Sequence, residues 1–392
     1  MRFLWQSNAP WAGTGYGMQS KLMLPALAGF GHEPSMFAFY GLAGGKITYD
    51  GYDVYPNSNF NEWGNDVVKQ HIEESKSDAV ITLIDLFVLN KDIWGSLNVP
   101  WLAWTPIDSV GIGKELLDRM QLETCLPVAM SNFGAIQMQE HGVTPEAVIY
   151  HAVDTAVYKP KDKDECREFL GIPKDCFLVG LVMANKGDRK QYPLQLSAIK
   201  KFQDDHPDID VRAYIHSEPT SNMGGWDLRA LVEMIGLKGK VFSSNQYRTS
   251  VLPIDQDTMA TIMNSFDVLM NCSAGEGFGI PIVEAQACGV PVIAQGVTAM
   301  PELVHHGYCV ESSNVGLASH YGWQFAPSLD DMVYRLDCVY RGMLDRISRD
   351  AGRVWVEANC SVQTIAAQWD YLLRGVNQAL DDQSEKAHEV FV

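Results

Sequence analysis

A glycine-rich loop between two apolar strands constrains this chain more than any other feature. The stretch 266–294, FDVLMNCSAGEGFGIPIVEAQACGVPVIA, begins with the apolar run Val268–Met270, which predicts a buried strand. The loop 275–279 follows it, and a short helix comes next, with Pro281 in its first turn and Gly289 just past its end. A second apolar strand completes the unit, so the order is strand, glycine loop, helix, strand.

The loop combines an anion site with groups that bind hydroxyls. Glycines let backbone N–H groups approach a ligand closely, and a helix N-terminus adds unpaired donors and partial positive charge. Glu276 and Glu284, eight positions apart, can accept hydrogen bonds from sugar or ribose hydroxyls, whereas a carboxylate cannot hold a phosphate directly. The combination predicts a nucleotide-sugar site. An ordinary strand-to-helix turn with two solvated glutamates is the alternative interpretation.

The segment EGFGIPIVEAQACGVPVIA resembles the signature of the retaining glycosyltransferases of family 4, which have the two-domain GT-B fold. Glu276 and Glu284 match the E-x7-E pattern of that family. The resemblance implies that the first Glu contacts the transferred sugar, that the second holds the ribose, and that the loop after the first contacts sugar and diphosphate. The residues of that loop are Gly277, Phe278, Gly279 and Ile280.

Two cations stand in a loop of the second half of the chain, ANKGDRKQYP, between a predicted strand and a predicted helix. Arg189 and Lys190 could there neutralise a leaving diphosphate. The family carries an Arg and a Lys in this loop, and Lys190 matches the lysine. The family arginine falls nearer Ala184 or Asn185, so Arg189 would be a substitute for it. Two solvated surface cations remain the alternative interpretation.

A second glycine loop, 13–17, follows the first strand of the chain, and a helix is predicted from about Met18. The first strand-to-helix turn is where a doubly wound sheet binds its ligand. The resemblance implies that this loop faces the donor diphosphate and the acceptor, which makes Gly15 and Tyr16 candidate binding residues. A plain tight turn is the alternative.

Three further candidates depend on the resemblance. Asp108 follows the predicted strand Trp101–Trp104, near a point where the family often places a His that contacts the transferred sugar. Tyr247 or Arg248 lies in the loop that edges the nucleobase in the family, and either could stack on a base. These residues complete the predicted site.

The segment YHAVDTAVYKP resembles the H/N-G-V-D-x-x-x-F-x-P segment that the family carries at its domain junction. Two positions depart from that pattern, because Ala152 replaces Gly and Tyr158 replaces Phe. The charge-dense, proline-containing run that follows also fits a domain boundary.

Alternating strands and helices predict two Rossmann-like, doubly wound α/β domains, and the resemblance implies that they face each other across a cleft as in GT-B enzymes. The first domain is predicted at 1–155, on the acceptor side, and the second at 156–360, where the nucleotide sugar binds. A C-terminal helix at 361–380 is expected to pack back on the first domain, with a tail at 381–392.

Composition narrows the possible partners. The net charge is −18 without a cluster of Lys or Arg, which argues against a broad nucleic-acid or anionic-membrane surface. Eight cysteines are scattered without C-x-x-C pairs, so buried thiols and a reducing, cytoplasmic location are expected. No apolar run reaches the length of a membrane span, and stable membrane anchoring is not expected.

The expected activity is transfer of a sugar, of the hexosyltransferase type, from a nucleoside-diphosphate sugar with retention of anomeric configuration. Asp208-Ile209-Asp210 precedes a strand rather than standing in a metal-binding loop, so cations and helix dipoles are expected to act without a metal or other cofactor. No side chain has the place of a nucleophile. A front-face reaction, in which the leaving diphosphate takes the acceptor proton, fits that pattern and is implied by the resemblance.

The acceptor stays open among a small molecule, a protein, a glycan and a modified nucleic-acid base. Two other functions also stay open. A nucleotide-sugar epimerase of GT-B architecture would turn over the donor without an acceptor. A non-catalytic nucleotide-sugar-binding subunit would bind the donor without hydrolysis or transfer.

Overall fold

A computed structural model describes residues 1–220, 224–245, 254–317, 322–344 and 346–389. Within these ranges, no helix is both long and apolar enough to cross a membrane.

The chain forms two compact units, and each unit is built from more than one segment of the sequence. The first unit comprises Met1–Ile107, Ile112–Ala152 and Val362–Val392, and the second comprises Asp108–Gly111 and Val153–Ser361. The short piece Asp108–Gly111 therefore belongs to the second unit, although the sequence predicted it within the first domain.

The first unit contains an eight-stranded sheet. Its strands are β1 Arg2–Asn8, β2 Glu33–Tyr40, β3 Ile47–Tyr49, β4 Tyr52–Pro56, β5 Ala79–Leu83, β6 Trp101–Thr105, β7 Cys125–Ala129 and β8 Ala147–Val148. The strand order is β3-β4-β2-β1-β5-β6-β7-β8, and only the β3–β4 pair is antiparallel. Its helices are Gly15–Gly29, Val68–Ser75, Lys91–Trp94, Lys114–Met120, Asn132–Glu140 and Val362–Glu389, with a 3-10 turn at Leu86–Val88.

The second unit contains a six-stranded parallel sheet and a separate hairpin. The sheet strands are β9 Phe177–Val182, β10 Val211–His216, β11 Val241–Ser243, β12 Val268–Asn271, β13 Val292–Gln295 and β14 Gly307–Val310, in the order β11-β10-β9-β12-β13-β14. The antiparallel hairpin is formed by β15 Ser312–Leu317 and β16 Trp323–Pro327. The helices are Lys163–Leu170, Tyr192–Asp205, Leu228–Ile235, Gln256–Asn264, Ile280–Ala287, Met300–Leu303, Leu329–Tyr340 and Arg346–Cys360, with a 3-10 turn at Asp188–Lys190.

Continuous apolar runs explain why the central strands pair in parallel. All residues of β9, FLVGLV, and of β12, VLMN, are buried. A strand buried on both faces has no polar side to turn to water, so helices must cover both faces of its sheet. The crossover helices between successive strands provide that cover, as in β12, the helix Ile280–Ala287 and β13.

The C-terminal helix Val362–Glu389 completes the core of the first unit. Trp369 on this helix is fully buried and lies edge-on to Trp5 and Trp104, with ring centroids 6.1 and 5.4 Å away. Edge-to-face aromatic pairs add to the free energy of burying their area. The predicted return of this helix to the first domain is confirmed, and the helix runs on through the segment predicted as a tail, to Glu389.

The helix after β1 begins earlier than the glycine pattern predicts. It spans Gly15–Gly29 because the Thr14 side chain accepts a hydrogen bond from the Gly17 N–H group, at 3.0 Å, and caps the first turn. Gly15 and Tyr16, predicted in a loop, are therefore in the first turn of a helix. The prediction relied on the glycines of this segment and did not take into account that Thr14 caps the helix.

Candidate active site

The glycine loop after β12 leads directly into the helix Ile280–Ala287. Two of its glycines meet a steric requirement. Gly279 has φ of 123°, a region that L side chains rarely adopt, and it starts the helix. A Cβ at Gly275 would lie 2.0 Å from the carbonyl oxygen of Asp108, so only glycine allows that backbone approach.

The 3-10 turn Asp188–Lys190 brings the two predicted cations to this loop. The Ala274 N–H group donates to the Arg189 carbonyl at 2.7 Å, which joins the two loops through the main chain. Gln195 joins them again, since its amide donates to the Lys190 carbonyl at 2.7 Å and accepts from the Cys272 N–H group at 3.0 Å. These contacts hold Arg189 and Lys190 next to the glycine loop.

Glu276 lies between the two cations. The Lys190 Nζ atom is 2.5 Å from Glu276 Oε1, and Arg189 Nη1 is 2.9 Å from Oε2. Arg189 Nη1 also donates to the Gly275 carbonyl at 2.7 Å. Glu276 is 7% exposed and Lys190 is 8% exposed, so this is a buried, charge-assisted cluster.

Burial and neighbouring charge set the ionisation of this cluster. Burial alone would raise the pKa of Glu276, but Lys190 and Arg189 outweigh it and lower that pKa to about 2. Burial and the adjacent Arg189 lower the pKa of Lys190 to about 8, against the opposing effect of Glu276. Near neutral pH the site therefore contains a carboxylate between two cations.

Asp108 joins the same cluster from the segment Asp108–Gly111. Arg189 Nε lies 3.5 Å from Asp108 Oδ2, and both side chains are about one quarter exposed, at 26% and 25%. Val110 and Trp323 exchange two backbone hydrogen bonds, at 3.0 and 2.8 Å, which fix the segment to the hairpin strand β16. The structure thus brings Asp108, Arg189, Lys190 and Glu276 together within one unit.

Glu284 has a different environment, farther along the helix that begins after Gly279. Its side chain is 8% exposed, and the nearby Tyr158 is 3% exposed. Burial raises the pKa of Glu284 to about 7, and the neighbouring Tyr158 phenol acts in the opposite direction. The sequence identified Glu284 and noted the Tyr158 replacement, but it did not reveal that the two side chains are neighbours.

The structure also adds residues that the sequence did not single out. The Thr298 hydroxyl accepts a hydrogen bond from the Glu276 N–H group at 3.0 Å, and the nearby Ser273 side chain helps to lower the pKa of the Glu276 carboxyl. Thr298 has φ of 53°, which for a β-branched residue is uncommon. Neither position carried a motif, because both act on Glu276 through contacts made only in the fold.

The remaining predicted residues are distributed as follows. Gly277, Phe278 and Ile280 flank the start of the helix in the second unit, and Phe278 is 3% exposed. Gly15 and Tyr16 belong to the first unit, where the Tyr16 ring centroid lies 6.3 Å from that of His151. Tyr247 and Arg248 lie outside the described residues.

The second unit also contains a cavity of about 900 Å³, which is lined by residues other than those of the Glu276 cluster. Arg167 and Asp267 in its lining are ion-paired at 2.6 Å, and Arg167 also donates to the Ser265 carbonyl at 2.9 Å. These groups satisfy each other, and removing one partner of such a pair would leave an uncompensated buried charge. Within the described ranges, no three His, Cys, Asp or Glu side chains are grouped as a metal site requires.

This geometry defines a Rossmann-like α/β protein with a glycine-rich loop, beside two cations, at its second sheet. Residues 175–320 match the family of glycosyl transferases group 1. The matched region contains both cations and both glutamates of the site, and the predicted resemblance is confirmed.

Curated relatives point to the same family. A D-inositol 3-phosphate glycosyltransferase from Mycobacterium tuberculosis (strain ATCC 25618 / H37Rv) is 30% identical over 217 residues, which is 54% of this chain and 41% of the relative. A protein of the same name from Mycobacterium bovis (strain ATCC BAA-935 / AF2122/97) has the same identity and coverage. The chain therefore matches less than half the length of these relatives.

Solved structures share the fold over nearly the whole chain. A sucrose-phosphate synthase from Thermosynechococcus elongatus has a TM-score of 0.74 at 16% identity and covers 97% of this chain and 100% of its own. Anabaena Alr3699/HepE, in complex with UDP and glucose, has a TM-score of 0.71 at 17% identity, with 96% and 100% covered. The predicted fold class, two Rossmann-like domains of the GT-B type, is confirmed.

Proposed function

We propose that this protein transfers a sugar from a nucleoside-diphosphate sugar to an acceptor, with retention of anomeric configuration. One observation carries the proposal: Arg189 and Lys190 meet Glu276 beside the start of the helix Ile280–Ala287, in the region that matches the glycosyltransferase family. Fixed cations stabilise the charge that develops on a leaving diphosphate. A carboxylate beside them suits the hydroxyls of the sugar being transferred.

The residues divide into roles along the donor. Glu284 would accept hydrogen bonds from the ribose, and Arg189 and Lys190 would bind the diphosphate. Glu276 would orient the sugar, and the loop of Gly277, Phe278, Gly279 and Ile280 would line the diphosphate. Asp108 would act on Arg189, which lies 3.5 Å away.

The proposed reaction takes place on one face of the sugar. The bond between the anomeric carbon and the diphosphate oxygen breaks, and the acceptor oxygen bonds to the same face of that carbon. The acceptor proton passes to the leaving phosphate oxygen, so no protein nucleophile is needed. The cations supply positive charge for this step, and a metal is not part of the proposal.

UDP-sugars are the first donors to test, because Anabaena Alr3699/HepE is described in complex with UDP-glucose. All eight cysteines are free thiols, which supports a reducing, cytoplasmic setting for the activity.

The test begins with thermal stabilisation by UDP-, GDP- and ADP-sugars, followed by transfer to a panel of small-molecule, peptide and glycan acceptors. We expect the product to keep the donor's anomeric configuration in its proton NMR spectrum, and the rate to survive EDTA. An inverted product would contradict retention. An epimerised donor without acceptor would favour the epimerase, and tight binding without turnover would favour a non-catalytic subunit.

A further inference from the structure

The second unit contains a smaller cavity, of about 250 Å³, lined by the 3-10 turn Asp188–Lys190 and by the hairpin β15–β16. Arg189 lines this cavity, and its Nη1 atom also lies 2.9 Å from Glu276 Oε2. One side chain therefore connects the cavity with the cluster at which sugar transfer is proposed. In the proposed function Arg189 binds the diphosphate, and the cavity itself has no assigned occupant.

Main-chain hydrogen bonds of Ala274 join the two walls of the cavity. The Ala274 N–H group donates to the Arg189 carbonyl at 2.7 Å, and the Ala274 carbonyl accepts from the Phe325 N–H group at 3.0 Å. The Phe325 carbonyl in turn accepts from the Gln295 side chain at 2.7 Å. The hairpin is thus fixed beside the reaction cluster by its backbone. Substitution of other side chains in the lining leaves these bonds in place.

Two polar side chains of the lining can bind a ligand. The Asp188 side chain is exposed, and within the described part of the chain its carboxylate makes no hydrogen bond or ion pair. The half-buried amide of Gln324 likewise has no hydrogen-bond partner among the residues that the structure describes. A carboxylate accepts hydrogen bonds, and an amide both donates and accepts them. The two side chains can therefore bind several hydroxyls at once.

The turn that carries Asp188 is held in an uncommon backbone conformation. Gln191, which also lines the cavity, has φ of 50° although it is not glycine. Its main-chain and side-chain N–H groups both donate to the Asp188 carbonyl, at 3.0 and 2.9 Å. Strained backbone of this kind is concentrated at functional sites. The two bonds fix the main chain of Asp188 without using its carboxylate.

The charges around the cavity disfavour a phosphate. The two cations are already paired, since Arg189 Nε lies 3.5 Å from Asp108 Oδ2 and Lys190 Nζ lies 2.5 Å from Glu276 Oε1. Asp188 adds a negative charge that is not paired with any described cation. A nucleoside diphosphate bound at the cations would add further negative charge. A phosphate in the cavity would therefore be repelled, whereas uncharged hydroxyls would not.

The size and the apolar part of the lining suit a single ring. Cavities for drug-sized ligands measure about 300–1,000 Å³, and this one, at about 250 Å³, is smaller than that range. Phe325 and Ala326 provide apolar surface against which the C–H groups of a ring can pack. A ring that carries several hydroxyls matches both the polar and the apolar groups of the lining.

We propose that this cavity binds the acceptor, and that the acceptor presents a sugar or cyclitol ring without a phosphate. Asp188 and Gln324 bind hydroxyls of the ring, and Phe325 packs against it. Another hydroxyl of the same ring bonds to the anomeric carbon of the donor, and its proton passes to the leaving phosphate oxygen. The proposal rests on the proposed function, because it assigns the acceptor for that transfer.

The test measures ring binding by saturation-transfer NMR, with UDP, GDP or ADP, whichever stabilises the protein most, added to fill the diphosphate positions. The probes are methyl glucoside paired with glucose 6-phosphate, and myo-inositol paired with its 1-phosphate. We expect the wild type to bind the neutral member of each pair about tenfold more tightly, because like charges repel across a binding site.

Two variants of the lining have different expected signatures. Asp188→Asn keeps the shape and removes the charge, so the preference for the neutral probes should fall by about tenfold. Gln324→Ala removes hydrogen bonds that either probe can use, so both should bind several-fold more weakly with the preference unchanged. Because the two positions are independent, a folding defect in one variant, seen by thermal unfolding, leaves the other as the test.

Asp175→Asn is the matched control for the loss of charge. Asp175 and Asp188 are both exposed, and they lie beyond opposite ends of strand β9. The control should bind all four probes like the wild type.

The outcomes separate this proposal from the function on which it rests. Equal binding of neutral and phosphorylated probes by the wild type, or an unchanged preference in Asp188→Asn, would overturn the proposal. Sugar transfer to an acceptor without such a ring would also overturn it and leave the proposed function standing. A protein that binds none of the three nucleotides would overturn the proposed function, and the acceptor assignment with it.

Discussion

Two glutamates of one motif, eight positions apart, have opposite electrostatic environments. Glu276 and Glu284 are buried to nearly the same extent, at 7% and 8% exposure. The pKa of Glu276 is lowered to about 2, whereas that of Glu284 is raised to about 7. Because desolvation acts on both, the difference comes from their partners: two cations beside the first and one phenol beside the second.

The comparison shows that burial alone does not decide whether a carboxyl is charged. Glu276 has its charge neutralised internally by Lys190 and Arg189 before any donor arrives. Within the described part of the chain no cation offsets the burial of Glu284 in this way, and its pKa is raised to about 7. Changing the partners should therefore change the two ends of the site in different ways.

The largest effect is expected at the cationic end. Lys190→Ala removes a fixed cation from the diphosphate and leaves Glu276 with Arg189 alone, so turnover should fall about a hundredfold or more. Lys201→Ala is the control, because Lys201 is 45% exposed and forms a salt bridge with Asp205 on its own helix. Steady-state rates with a demonstrated donor measure both. Equal rates for Lys190→Ala and wild type would remove Lys190 from the reaction.

At the other end, Glu284→Gln should change stability in a pH-dependent way. The pKa of Glu284 is raised from an ordinary 4.5 to about 7, so the folded protein favours the protonated form. Wild-type stability should therefore fall relative to the variant as pH rises from about 4.5 to 7, by on the order of 3 kcal/mol at roughly 1.4 kcal/mol per pKa unit. Urea unfolding at several pH values measures this. A constant difference across that window would contradict the raised pKa.

Glu276→Gln tests the internal pairing directly. The amide keeps the shape but frees Lys190 and Arg189 from a carboxylate, so UDP should bind several-fold more tightly while transfer slows about tenfold through loss of sugar orientation. Binding by calorimetry and turnover by product formation separate the two. Weaker UDP binding in the variant would show that the carboxylate does not compete with the diphosphate.

The smallest effect is expected for Asp108 and Arg189. Both side chains are partly exposed and 3.5 Å apart, and pairs of this kind contribute below about 1 kcal/mol. A double-mutant cycle with Asp108→Ala and Arg189→Ala, read as unfolding free energy, measures their coupling. Coupling of zero would leave Asp108 as a neighbour of Arg189 without effect on it.

Local pattern was enough to predict the central motif and the fold class. The motif lies within one short stretch of chain that includes Pro281, Gly289 and the apolar strands on either side. Its strands and the ends of its helix can therefore be recognised directly in the sequence. The C-terminal helix was also predictable, since Trp369 and its neighbours recur at helical spacing.

What the sequence could not reveal depends on contacts between distant positions. The pairing of Arg189 and Lys190 with Glu276 joins residues more than 80 positions apart, and no local pattern encodes it. The pairing of Val110 with Trp323 on β16 was missed for the same reason. Thr298 lacked any motif, although it receives the Glu276 N–H group.

The division of the chain into interleaved segments has a consequence for synthesis. The chain passes between the two units four times, at 107/108, 111/112, 152/153 and 361/362. During translation the second unit is complete at Ser361, whereas the first still lacks the helix Val362–Glu389, whose Trp369 fills its core. The first unit can therefore bury Trp5 and Trp104 against Trp369 only after the last helix of the chain has been made.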